Sequence, residues 1–299
     1  MRAWHILTAA AVLALLASSA NAGGGIWTPL DVPGAHSTII CGIDGNNIVG
    51  FYFYSDEAWN HGFLYDGTDW FAIDVPGAYY TLVCGIEGGS IVGSYGDALG
   101  NHGFLYDGTI LTTLDLPQAT FPNAEIRQVE GISGSTLVGG YQDGHAAHRG
   151  FIYDGGSWTA LDVPEARDHT YANSIDGRNV VGAFRSWYGD LDGFVHNLTS
   201  GEWTILRMPG AAGTSVHDSD GGNLVGYYYL PNGGRHGFLY NGTTWTTLDM
   251  PGAVNTCITG ISGRTLVGWY QLTSSSPQHG FVYTISAPAI DVSVTLNWD

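Results

Sequence analysis

The chain contains no lysine. Nine arginines face 27 acidic residues, for a formal net charge of -18. Charged residues of all kinds make up 12% of the sequence, roughly half the usual share. Nucleic acid and anionic membranes both require a basic footprint, so neither is an expected partner. Methionine, lysine and glutamate are scarce, which removes the material of helical bundles and coiled coils. There are three cysteines, Cys41, Cys84 and Cys257. The odd number excludes a fully paired disulfide framework, and no C-x-x-C spacing suggests a metal. We expect three small buried thiols, no metal and no cofactor. No G-x-S-x-G, H-E-x-x-H, phosphate-binding loop or dinucleotide fingerprint occurs.

Glycine is abundant, with 45 residues, and aromatics reach 13%. This composition suits many short strands joined by tight turns. At the N-terminus, Arg2, the apolar stretch Ile6 to Leu16 and the cleavage pattern Ala20-Asn21-Ala22 read as a signal peptide over residues 1–22. No other apolar run is long enough to span a membrane. The expected location is therefore secreted or periplasmic, and the expected state is a soluble monomer.

Internal periodicity is the strongest signal. His61-Gly62-Phe63-Leu64-Tyr65-Asp66-Gly67 recurs, complete or in part, with its first glycine at 62, 103, 150, 193, 237 and 280. A Val-Gly marker ends at Gly50, Gly93, Gly139, Gly182, Gly226 and Gly268. A third marker, Trp-x-x-Leu/Ile-Asp-Val-Pro in its fullest form, begins at Trp27, Trp70, Leu111, Trp158, Trp203 and Trp245. Three markers agree on six copies with a period of about 43 residues, each holding four strand-like runs. The spacing predicts an all-β, six-bladed β-propeller over residues 23–283, followed by a tail, 284–299, that adds a strand or lies loose. The sequence opens on a fourth-strand run at Trp27 and closes on a third-strand run at His279. The N-terminal strand is therefore expected to supply the outer strand of the last blade and leave no open edge. The repeated histidines, one per blade, are read as structural.

The histidine-small-Phe-Leu-Tyr core, the glycine turn and the Val-Gly strand resemble the HAF-type extracellular repeat, a bacterial family. Here glycine takes the family's alanine position. The resemblance implies an exported propeller-like protein and carries no catalytic motif.

Positions that break the repeat ask for another explanation. They concentrate between about 120 and 220, which holds Arg127, Arg149, Arg167, Arg178, Arg185 and Arg207. Arg127 is read at the place of Thr38 and Thr81, Arg149 as inserted into the His-Gly-Phe motif, and Arg207 as replacing the motif aspartate. Glu130, Asn173 and His217 stand where other blades have Cys41, Cys84 and Thr259, and Asp218 replaces a glycine. Arginine pairs with carboxylate in a bidentate fork, so the patch suits an extracellular glycan or protein ligand. Glu130, Arg149, Arg167, Arg185, Asp218 and the aromatics Trp59 and Trp187 are the candidate binding residues. The alternative is a uronate lyase, in which Arg127 neutralises the substrate carboxylate. Tyr171, His169 or His217 would then move the proton. A structural surface protein is the third reading.

Overall fold

A computed structural model describes residues 24–286, apart from residues 57, 58, 146, 188 and 232. The signal-peptide reading and nearly all of the tail lie outside the described residues. Those described form 24 strands and no helix. The strands make six antiparallel sheets of four. The blade 5 and blade 6 sheets are joined by a single parallel bridge, Arg235 to Asn255. The inner strands are Ser37–Asp44, Tyr80–Glu87, Glu125–Ser133, Ala166–Asp176, Gly213–Asp220 and Asn255–Ser262. Each touches the inner strand of both neighbouring blades, and the sixth touches the first, so the sheets stand in a ring around a central channel. This is a six-bladed β-propeller.

The last blade takes its outer strand from the start of the chain. Gly25–Pro29 pairs antiparallel with His279–Ile285, with Trp27 opposite Tyr283. The last strand therefore runs to Ile285, two residues past the expected domain end.

The repeat glycines are spacers. A Cβ on Gly50 would strike the Ile39 carbonyl and the Phe63 ring, and one on Gly62 would strike the Ile73 carbonyl of its own blade and Val83 of the next. Their absence of side chain lets Phe63 and its equivalents bury completely or nearly so between blades. The tryptophans that open the outer strands pack within their own blade, on the neighbouring third strand: Trp70 lies against Phe63 and Tyr65.

Two sets of polar contacts repeat around the ring. The first is a clasp between the third and outer strands. His61 Nδ1 lies 3.0 Å from Asp74, His102 Nδ1 2.7 Å from Asp115, His236 Nδ1 2.9 Å from Asp249 and His279 Nδ1 2.9 Å from Asp31. The second runs along the turn face. The turn glycines are held at positive φ, which leaves their N–H groups free to reach the preceding blade. Gly45 donates to Ser262, Gly88 to Asp44, Gly134 to Glu87, Gly177 to Ser133 and Gly263 to Asp220. A backbone bond from Gly221 to Asp176 completes the circuit.

Candidate functional site

Every inner strand carries a β-bulge at the same level. It falls at Cys41, Cys84, Glu130, Asn173, His217 and Thr259. A bulge re-aims its extra residue out of the ladder, and here all six line the channel. The channel thereby gathers Glu130 from blade 3 and His217 and Asp218 from blade 5. Burial pushes the Glu130 carboxyl up to about 7, against a hydrogen bond from Cys84. It pushes the Asp218 carboxyl up to about 6, although Ser174 and the Ile261 N–H both donate to it, at 2.6 and 2.8 Å. Burial, helped by the charge of Arg235, pulls His217 down to about 4. The three cysteines are free, and burial pushes Cys257 up to about 12.

At the opposite end from the tight turns, the channel mouth divides into two halves. In blades 5, 6 and 1 it is apolar: Ile39, Cys257 and Trp269 are buried together with Phe51 and Tyr227 against them. Arg235, which sequence reasoning passed over because it follows an intact repeat, lies over Tyr227 at 5.2 Å and Trp269 at 5.6 Å. In blades 2, 3 and 4 the mouth opens into a cavity of about 270 Å³. Its polar walls are Tyr80, Asn101, Arg127, Gln128, His148 and Tyr171, and Glu130 and Asn173 form its floor toward the channel.

Strand register corrects two sequence readings. Ile126, opposite Tyr141, holds the place that Thr38 holds opposite Tyr52. Arg127 is the extra residue of a second bulge, between Ile126 and Gln128. The bulge turns its side chain outward, where it is exposed. It forms no ion pair with any described residue. Arg149 is not inserted. It lies opposite Tyr141, as His61 lies opposite Tyr52, and takes the histidine's part in the clasp. Its guanidinium reaches Asp162 at 3.3 Å and Asp143 at 3.2 Å. The residue before it, His148, is the one that lines the cavity.

The structure thus brings together Arg127, Glu130 and Tyr171 from the sequence candidates. It adds Tyr80, Asn101, Gln128 and His148. His169 stands behind them, its Nδ1 accepting the His148 backbone N–H at 3.0 Å and its ring 6.1 Å from Tyr171. Arg167 and Arg185 share Asp168, at 3.7 and 3.8 Å. His217 and Asp218 belong to the channel wall in blade 5, not to this cavity. Burial raises the Tyr171 hydroxyl above its ordinary range, partly offset by Arg185. Burial lowers His148, and its neighbours His169 and Arg127 disfavour its charged form further. Trp59 stacks on Tyr79 at 5.6 Å between blades 1 and 2, each about half exposed. Trp187 projects from blade 4 at 71% exposure.

No family model matches the sequence, and no curated protein matches it. Solved structures do match. The Aleuria aurantia lectin, described as a six-bladed β-propeller with a novel fucose recognition mode, superposes with a TM-score of 0.53 at 13% identity, over 83% of this chain and 93% of that one. A mutant of AofleA from Arthrobotrys oligospora gives 0.52 at 14%, over 88% of each chain. SapL1 lectin in complex with α-methyl fucoside gives 0.51 at 14%, over 85% and 98%. At these identities the likeness is one of fold.

Proposed function

We propose that this is an exported propeller of the HAF-type repeat class that binds an acidic saccharide at the channel mouth of blades 2 to 4. The observation that carries the reading is Arg127. It is a guanidinium without an acidic partner among the described residues, placed by a bulge over a cavity walled by aromatic and amide side chains. The neighbouring arginines are already paired, Arg149 with Asp143 and Asp162, and Arg167 and Arg185 with Asp168. A ligand carboxylate would complete the fork, while Tyr80 and Tyr171 offer flat apolar faces and Asn101 and Gln128 offer hydrogen bonds to hydroxyls. The lectin neighbours support saccharide binding as a use of this fold.

A binding role fits better than elimination. A tyrosine that abstracts a proton near neutral pH needs its hydroxyl lowered, whereas Tyr171 is raised. Of the other two candidates, His217 lies outside the cavity, and His169 stands behind its wall with Nδ1 taken up by the His148 backbone N–H. One observation favours chemistry all the same. Glu130 titrates near 7 at the cavity floor, a poise suited to general acid–base work.

Calorimetry of the mature protein against oligogalacturonate and neutral oligosaccharides tests the proposal, with ultraviolet absorbance followed for unsaturated uronate. Binding of the acidic ligand should fall by roughly tenfold or more in Arg127→Ala, the worth of one charge-assisted pair. Undiminished affinity in that variant would overturn the site. Absorbance growth abolished by Glu130→Gln would instead make the protein a lyase.

A further inference from the structure

Five blades place isoleucine one residue before the end of the inner strand: Ile43, Ile86, Ile132, Ile175 and Ile261. Blade 5 places Ser219 there. The isoleucines pack into the interface between blades, as Ile43 does beside Val267 of blade 6. On the facing blade the third strand also carries a shorter side chain. Val195 stands where blades 1, 2, 3 and 5 have Leu64, Leu105, Ile152 and Leu239. Both truncations fall on the interface between blades 4 and 5. The result is a cavity of about 220 Å³. Its apolar walls are Val181, Val195, Leu206, Leu224 and Tyr240, and Ser219, Asp176, Asn179 and Thr204 are its polar lining. Ser219 is only 9% exposed, and its hydroxyl has no hydrogen-bond partner.

A buried hydroxyl without a partner is costly, and so is unfilled apolar volume. Neither cost arises at the five equivalent positions, where isoleucine closes the gap. We propose that the blade 4–blade 5 interface is a second binding site, for a small uncharged molecule with an apolar body and one hydroxyl or N–H group. The walls set the class. Four aliphatic side chains and a tyrosine ring call for an apolar body, and no arginine lines the cavity to receive an anion. The one carboxylate in the lining, Asp176, already accepts the Gly221 N–H, and burial raises it toward its neutral form. Ser219 supplies one hydrogen bond at the wall. The site is separate from the channel mouth, because Gly222 and Gly242 of the tight turns border it.

The probe is 2-naphthol, a bicyclic apolar body with one hydroxyl, titrated calorimetrically into the mature chain. Wild type and Arg127→Ala should bind it equally. Ser219→Ile and Val195→Leu each restore the side chain that most other blades carry. Each should melt at higher temperature and bind roughly tenfold more weakly or not at all. Ser219→Ala, which keeps the volume but removes the hydroxyl, should bind several-fold more weakly. No binding by wild type up to the solubility of the probe would overturn the proposal. So would unchanged affinity in both filled variants, and unchanged affinity in Ser219→Ala would overturn the hydrogen bond.

Discussion

Glu130 occupies the bulge where blades 1 and 2 carry cysteine, and its carboxyl is held near 7 rather than its ordinary 4.5. The native state therefore keeps its proton over a range in which the unfolded chain has lost it. Stability from this group is intact below about pH 4.5, declines as pH rises toward 7 and is then constant. Glu130→Gln removes the titration. The variant should match wild type at pH 4 and exceed it by about 1–3 kcal/mol at pH 8. Denaturant unfolding at the two pH values checks this, and a gap that shrinks with rising pH would contradict it. His217 tilts stability the other way over pH 4 to 6.5, because its native form resists protonation, so the comparison must be made variant against wild type. The six channel positions were visible in the sequence as a column that changes from cysteine and threonine to Glu130, Asn173 and His217. What that column faces was not visible. A bulge changes where a side chain points without changing which residue types appear. Arg127 illustrates this: by counting it aligns with Thr38, yet the added bulge residue takes it out of that column altogether.

Blade 4 carries its clasp with the charges exchanged. Asp192 stands opposite Phe184, as His61 stands opposite Tyr52. Arg207 holds the outer-strand position of Asp74 and reaches Asp192 with two bonds of 2.8 and 2.7 Å. Asp192 is 6% exposed, which makes this the most enclosed acid among the six clasps. Sequence reading registered Arg207 as a break in the repeat. It missed the compensating change at Asp192 because the turn between them is longer, so the two are fifteen residues apart instead of thirteen. The exchange predicts a rescue. Arg207→Asp alone sets two carboxylates against each other and should cost about 3–5 kcal/mol. The double variant Asp192→His/Arg207→Asp restores the arrangement of the other blades and should recover most of that loss in a denaturant double-mutant cycle. Additive losses would mean that the clasp is not a unit. Arg149 follows the same logic, standing in for histidine against Asp162. Two of the arginines that marked the middle blades as unusual are therefore parts of the frame.

The ring is completed by contacts between the two ends of the chain. Trp27 is 6% exposed against Phe281 and Tyr283. Asp31 binds both His279 and the Gly280 N–H, each at 2.9 Å. Removing residues 25–31 exposes one edge of blade 6 and leaves these groups unmatched. The loss should be at least about 3–5 kcal/mol, the cost of deleting one buried tryptophan alone. Calorimetry should show it as one cooperative transition at lower temperature. A separate early transition with the main one unmoved would show that blade 6 melts alone. The pairing of the first strand with the last, the number of blades and the four strands of each were legible from the repeats, since periodicity records packing that every copy shares. The cavities were not legible, because each arises where one copy departs from the others and the outcome depends on its neighbour across the blade interface.

The central claim is that the Arg127 cavity receives an acidic saccharide. Hydrogen exchange with and without trigalacturonate tests it most directly. Exchange should slow at the cavity walls alone, at residues 80–82, 101, 126–130, 148 and 171–173. Unchanged exchange there, or protection centred on Trp59 and Tyr79 or on Trp187, would contradict it.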